Sequence, residues 1–476
     1  MADPGDLRDE LDEVLAAAAA EARTYLAGIE DDPVKPEGAE DALPPAGVPL
    51  PADGAGAPAA VEELAELCRS SAIRSAGPRF FHFVMGGGTP AAVAADWLTS
   101  AIDQSAFVWV SSPLGSRLEQ LAVAWLRELF ELPDEFAGVL TTGATMANFT
   151  GLAAARNWWA ERHGVDVERD GLAGTPPVPV LSSGYLHASA VEALGLLGIG
   201  RNARVLASDG AGRLDAEALE RELAALDGAP AIVIGNAGDV NAGDFDPHDT
   251  LADLTERHGA WLHVDGAFGL FARAAPEAAP LAAGVERAQS VITDCHKWLN
   301  VPYDCGVAFV RDPARLGAAF SAGAPYLPAT DDPRPSFGFL GPELSRRARA
   351  LPVWATLRAY GRDGHRAMVE RHLRLARRLG ERVDAEPELE RLAEVRLNIV
   401  CFRWRPPDAG EDELDDLNRT LGETLLEDGR VFAGTTVYDG NVAFRPAIVN
   451  WRTREEDVDL LVDVLLELAA RVRATA

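Results

Sequence analysis

At 476 residues the chain exceeds what one ordinary core accommodates, and with 47% hydrophobic residues it predicts two or three well-filled structural units. A formal net charge of −30 argues against nucleic acid or an anionic membrane surface as a partner. No run of about 18 apolar residues marks a membrane-spanning helix. The acidic start, Met1 to Glu10, lacks the basic-then-apolar order of a signal peptide, so a cytoplasmic protein is expected.

Residues 6–29 predict an alanine-rich amphipathic helix. Residues 31–58 are rich in Pro, Gly and Asp and predict an extended connector, followed by a helix from Ala59 to about Ala76. From there to about 320, apolar runs alternate with helical patterns. Strands are expected at Gly138–Thr142, Val178–Ser182, Ala203–Leu206, Ala231–Ile234, Trp261–Val264, Ser290–Thr293 and Gly306–Val310. Helices are expected at Asn148–His163, Ala188–Leu197, Asp215–Leu226 and Asp249–His258. That alternation implies an α/β fold with a mostly parallel seven-stranded sheet. A long Arg-rich helix (Ser345–Arg382), strands at Ile399–Trp404 and Val442–Pro446, and a helix from Thr453 onward form a small C-terminal α+β domain. The expected division is 1–75 (helical segment and linker), 76–345 (large domain) and 346–476 (small domain).

Four scattered cysteines, Cys68, Cys295, Cys305 and Cys401, show no metal-type spacing and read as reduced thiols, so no metal is expected. The lysines are more telling. Of 44 basic residues only Lys35 and Lys297 are lysines. Arginine stays protonated and cannot condense with an aldehyde, whereas a desolvated lysine amine can. Lys35 stands in the linker, where nothing demands it. Lys297 stands between His296 and Trp298 just after a strand, where only its amine chemistry explains its survival.

Four modest signals occur in chain order, each at a strand end. Thr141–Asn148 (TTGATMAN) opens a helix whose free N–H groups and small residues, Ala144 and Thr145 among them, suit a phosphate. His187 is placed to stack on a flat ring, although taken alone a capping or core role is the better reading. Asp265, in the segment His263–Gly269 (HVDGAFG), is a carboxylate at a buried strand end. Such a group needs a cationic partner, and a protonated pyridine nitrogen is one; Ala267 leaves room for a ring. Lys297 completes the set that pyridoxal 5′-phosphate requires.

His187, HVDGAFG and Thr293–Trp298 (TDCHKW), with Pro78–Gly88, Trp109–Glu119 (WVSSPLGSRLE) and Leu344–Arg349 (LSRRAR), resemble group II pyridoxal-phosphate-dependent amino-acid decarboxylases over roughly residues 60–475. The resemblance implies fold type I and a homodimer with active sites at the subunit interface. It implies Lys297 as the Schiff-base lysine, Asp265 as the partner of the pyridine nitrogen, His187 stacked on the ring and Ala267 beneath it. Ala144, Thr145, Asp294 and His296 would lie around the phosphate, Asp294 replacing the usual Asn. Asn236 falls in Gly235–Val240, where the aromatic enzymes carry a threonine facing the cofactor. Phe83–Gly86 lacks the hydroxyls of their Tyr-Phe-Pro-Thr stretch. The tyrosine that their mobile loop supplies as a proton donor is matched here by Phe337, with Tyr326 or His82 as alternative donors.

The expectation is decarboxylation of an L-amino acid to its amine. An aromatic substrate is favoured because Phe80, Phe81, Phe83, Phe107 and Trp109 fall in segments that border the pocket of the resembled family. Phe337, which cannot donate a proton, points to the alternative of oxidative decarboxylation and deamination to an aldehyde. A catalytically silent scaffold is the alternative of another class, opposed by the retention of Lys297.

Overall fold

The computed structural model describes residues 10–320 and 334–475. Helices α1 (Leu11–Gly28) and α2 (Ala57–Ser71) pack on each other. The Pro/Gly-rich stretch between them has no helix or strand, as expected. Its first part is nonetheless docked. Ile29, Val34 and Ala39 are buried, and the Val34 and Lys35 N–H groups both donate to Gly429 O. Lys35 Nζ sits 2.9 Å from Glu427 Oε2 and 3.1 Å from Glu40 Oε1. The reading that nothing demands Lys35 is corrected: it ties the linker to the C-terminal unit by ion pairs.

α3 (Pro90–Ile102) and α4 (Pro113–Leu129) begin with proline, which forfeits an N–H that would lack a partner anyway. They lead into the large sheet: β1 (Ala137–Thr141), α5 (Ala144–Glu161), α6 (Val167–Asp170), β2 (Val180–Ser182), α7 (Ala188–Leu196), β3 (Arg204–Val205), α8 (Ala216–Ala225), β4 (Ile232–Asn236), α9 (His248–His258), β5 (Trp261–Asp265), β6 (Ser290–Asp294), β7 (Gly306–Val310) and α10 (Pro313–Phe320). The spatial order is β1-β7-β6-β5-β4-β2-β3. Only β7 runs antiparallel to its neighbours, because the connection Cys295–Cys305 is too short for a helical crossover.

Strand side chains alternate between two cores. Ile232, Ile234, Trp261, Ile292 and Ala308 meet α5, α7 and α10 on one face. Val233, Leu262, Val264, Val291 and Val307 meet α4, α8, α9 and α11 (Ala350–Ala385) on the other. α11 starts later than Ser345, because Arg346 is committed to a buried ion pair with Glu119 (2.7 Å). It is broken at Gly361, whose φ of 61° only glycine adopts easily.

The small unit comprises β8 (Leu389–Arg391), β9 (Phe402–Trp404), α12 (Leu414–Asp428), β10 (Thr435–Tyr438), β11 (Asn441–Phe444) and α13 (Glu455–Thr475). Its antiparallel sheet, ordered β10-β11-β9-β8, has a core of its own that includes Phe402, Trp404 and Phe444. β8, β10 and α12 were not anticipated.

Candidate cofactor and substrate site

The C-terminal ends of β1, β2, β4, β5 and β6 share one edge of the large sheet, and the expected residues gather there. They surround a cavity of about 320 Å³ lined by His187, Asn236, Asp265, Ala267 and Lys297 together with Phe83, Val84, Met85, Tyr185, Gly238, Val240, Phe268, Tyr303 and Arg445.

Lys297 is held from behind. A Cβ on Gly86 would lie 2.0 Å from Lys297 O, so only glycine lets that segment pass. Trp298 Nε1 donates to His372 Nδ1 (2.8 Å), and Asn300 Nδ2 donates to Trp298 O (2.7 Å) and Val449 O (2.9 Å). The lysine ammonium pairs with Asp294 Oδ2 at 3.0 Å. Asp294 is 1% exposed, and its Oδ1 has no hydrogen-bond partner among the described residues. That oxygen faces Gly143 just ahead of α5: a Cβ on Gly143, whose φ is 121°, would meet it at 3.5 Å and His296 Cε1 at 3.0 Å. Ala144 and Thr145 form the first turn of α5, which has no side-chain cap. The turn, Asp294 and His296 therefore lie close to one another.

Asp265 is 5% exposed. Its Oδ2 accepts from Asn148 Nδ2 (2.8 Å) and its Oδ1 from the Ala267 N–H (3.1 Å). His187 caps α7 and lines the cavity, with its own surface exposed there. Partial desolvation by the surrounding protein lowers its pKa, although Asp265 pulls the other way. His296 stacks on Tyr303 with centroids 4.1 Å apart, and burial lowers its pKa as well. Asn236 lines the cavity but spends its amide on Asp246 Oδ2 (3.1 Å) and Ser183 Oγ (3.4 Å). Burial pushes Asp246 up to about 6.

Of the five residues expected to line the substrate pocket, this chain brings only Phe83 to the cavity. Phe81 is buried in the core of the small unit. Phe107 packs edge-on to Phe339 and accepts the Gly338 N–H, and Trp109 lies under Arg117. Phe337 is buried in the core that includes α5 and does not line the cavity, so its placement in the pocket is corrected. Of the alternative donors, His82 packs tilted against Phe83 outside the lining with its pKa lowered to about 4 by burial and Arg445. Tyr326 lies outside the described residues.

Sequence reasoning missed Tyr185, Tyr303 and Arg445. Tyr303 was findable, since it follows Lys297 closely in the same connection. Arg445 closes β11 in the other unit and is hidden among many arginines.

These residues fit pyridoxal phosphate: a lysine amine, a buried carboxylate, a ring-facing imidazole and an uncapped helix N-terminus with a glycine turn. Asp294 alone is not an obvious phosphate ligand.

Residues 52–405 match the pyridoxal-dependent decarboxylase conserved domain. The chain is 32% identical over 431 residues to L-2,4-diaminobutyrate decarboxylase of Rhizobium meliloti (88% of this chain, 84% of the relative). It is 28% identical over 407 residues to aromatic-L-amino-acid decarboxylase of Bacillus atrophaeus (84% and 81%). The structure of Oryza sativa TDC with PLP and tryptamine superposes with a TM-score of 0.89 at 26% identity, covering 98% of both chains. Fold, site chemistry and kinship agree that this chain belongs to the pyridoxal-dependent decarboxylase family, with fold type I and pyridoxal phosphate as its cofactor.

Proposed function

We propose that this decarboxylase acts on an L-amino acid with an aromatic side chain and releases the amine. The observation that carries the substrate class is the cavity wall: Phe83, Val84, Met85, Val240 and Phe268 offer a largely apolar surface that favours a flat hydrophobic group. The bound cofactor withdraws electrons from the substrate's Cα. The protein's own groups do the rest. Lys297 would hold the cofactor, Asp265 would keep its ring nitrogen protonated, and His187, Ala267 and Asn236 would bind the ring. Ala144, Thr145, His296 and Asp294 would border the phosphate. Arg445, just past the end of β11, faces the cavity and would bind the substrate carboxylate.

After carbon dioxide leaves, Cα needs a proton. Tyr303 is a phenol on the cavity wall, raised to about 12 by burial and by Asp294, so it keeps its proton at neutral pH. With Phe337 in the core, the residue that pointed to an aldehyde product no longer does so.

This reading includes the three-part division at 76 and 346, a cytoplasmic protein and a homodimer. The exposed Trp97, Leu98 and Ile102 of α3 with Val110 and Leu114 support self-association. Incubating holoprotein with a panel of L-amino acids, and measuring amine, aldehyde, carbon dioxide and peroxide, tests it. Amine and carbon dioxide in equal amounts from tryptophan, tyrosine or phenylalanine are expected. Turnover confined to acidic or diamino substrates would overturn the substrate class, and peroxide in step with aldehyde would overturn the product.

A further inference from the structure

Asn148 stands on the second turn of α5, fully buried and outside the cavity lining. Its amide has two jobs. Nδ2 donates to Asp265 Oδ2 (2.8 Å) and to Ser189 Oγ (3.2 Å), and Oδ1 faces His263 Nε2 (2.9 Å). The orientation is forced, since a carboxylate oxygen only accepts. An amide oxygen likewise only accepts, so His263 carries its proton on Nε2. Burial drives His263 down to about 4, so it is neutral and its Nδ1 accepts from Ser290 Oγ (2.7 Å). Ser290 Oγ in turn accepts from Trp261 Nε1 (2.9 Å).

The other end is equally determined. The Ser189 backbone N–H donates to His187 Nδ1 (3.2 Å), so that nitrogen bears no proton. The Ser189 hydroxyl, having accepted from Asn148, donates to the same Nδ1 (2.7 Å). Every bond from Trp261 to His187 thus points one way.

We propose that Asn148 is a positioning residue that joins Asp265 and His187 in one directed hydrogen-bond chain and fixes the ring proton of His187 on Nε2, facing the cavity. One amide then sets the residues on the ring nitrogen and on the ring face together. The inference rests on the site reading above. It makes Nδ1 a double acceptor, so protonating His187 means expelling two donors. The charged groups facing His187 are Asp265, Asp294, Lys297 and Arg445.

The test compares Ser189→Ala, Ser189→Thr and Asn148→Leu with the parent in three readouts. These are pyridoxal phosphate affinity by titration of apoprotein, the pH dependence of the bound cofactor's absorption, and the pH profile of kcat. Ser189→Ala removes one donor from Nδ1, so His187 protonates more easily and the acid limb moves up by about 0.5–1 pH unit. Its cofactor affinity stays within about twofold. Ser189→Thr keeps a hydroxyl and restores the limb. Asn148→Leu moves the limb in the same sense and weakens cofactor binding about tenfold or more, since Asp265 loses its donor. Profiles that coincide with the parent in Ser189→Ala overturn the proposal, and this variant decides alone if Asn148→Leu does not fold. Failure of the site reading looks different: reductive labelling away from Lys297, or unchanged cofactor affinity in Asp265→Ala.

Discussion

Two stretches singled out in the sequence, Trp109–Glu119 and Leu344–Arg349, meet in one buried ion pair, and breaking it has a calculable cost. Arg346 Nη1 and Nη2 reach Glu119 Oε2 and Oε1 at 2.7 and 2.9 Å, with side-chain exposures of 2% and 1%. The same guanidinium donates to Leu140 O (2.5 Å) and Ala106 O (3.4 Å), and Glu119 Oε1 accepts the Leu140 N–H (2.9 Å). The pair therefore clamps β1 just before the turn at Thr141–Ala144. Glu119→Leu leaves a guanidinium without its anion in a site closed to water and strands the Leu140 N–H, a loss of about 3–5 kcal/mol. Adding Arg346→Met removes the unpaired charge, so the double variant loses less than the two single losses combined, by a coupling of about 1–3 kcal/mol. Urea unfolding of the four apoproteins, followed by tryptophan fluorescence, gives these differences. A loss below about 1 kcal/mol in Glu119→Leu, or simple additivity in the double variant, would refute the reasoning.

Asp265→Ala should weaken pyridoxal phosphate binding by about 10- to 150-fold, the equivalent of a charge-assisted bond of about 1.5–3 kcal/mol, and reduce turnover further still. Equilibrium titration with the cofactor checks it, and near-parental affinity would sink the placement of the ring nitrogen. Burial holds His248, His263 and His365 down at about 4 and His372 at about 3. Their folded pKa values lie below the unfolded ones, so the stability they contribute is full above about 6.5 and is lost as pH falls through 4. Thermal scans between pH 8 and 4 should show that decline, and a flat melting temperature across the range would contradict it. Phe337→Tyr places a hydroxyl in an apolar core, so it should lower stability by about 1–3 kcal/mol and leave the ratio of amine to aldehyde unchanged. A changed product ratio would return this residue to the pocket.

Legibility in the sequence followed the kind of signal each element carries. Six of the seven strands of the large sheet are buried on both faces and bounded by turns, so each announced itself as an apolar run, while the edge strand β3 is exposed. β8 and β10 carry charged or polar residues and leave part of each strand exposed, so no run marks them. Lys297, Asp265 and His187 were legible because a strand end dictates where each side chain must go. Asn148 went unnoticed as a network hub, since its partners Asp265 and His263 on β5 and Ser189 on α7 are far from it in sequence. The aromatic residues failed for the opposite reason. Phe81 and Phe337 lie near pocket-bordering segments in sequence, but volume and apolarity suit a core as well as a pocket, and both are core residues. Arg445 could be found only in three dimensions, because the small unit carries it across to the edge of the large sheet.

The most direct test of the central claim uses the contrast between the two lysines. Holoprotein reduced with borohydride and digested should carry the cofactor on the peptide containing Lys297, with none on Lys35, whose ammonium is held between Glu40 and Glu427. Lys297→Arg should bind cofactor without becoming labelled and should lose decarboxylation. Label on Lys35, or carbon dioxide release persisting in Lys297→Arg, would contradict the account.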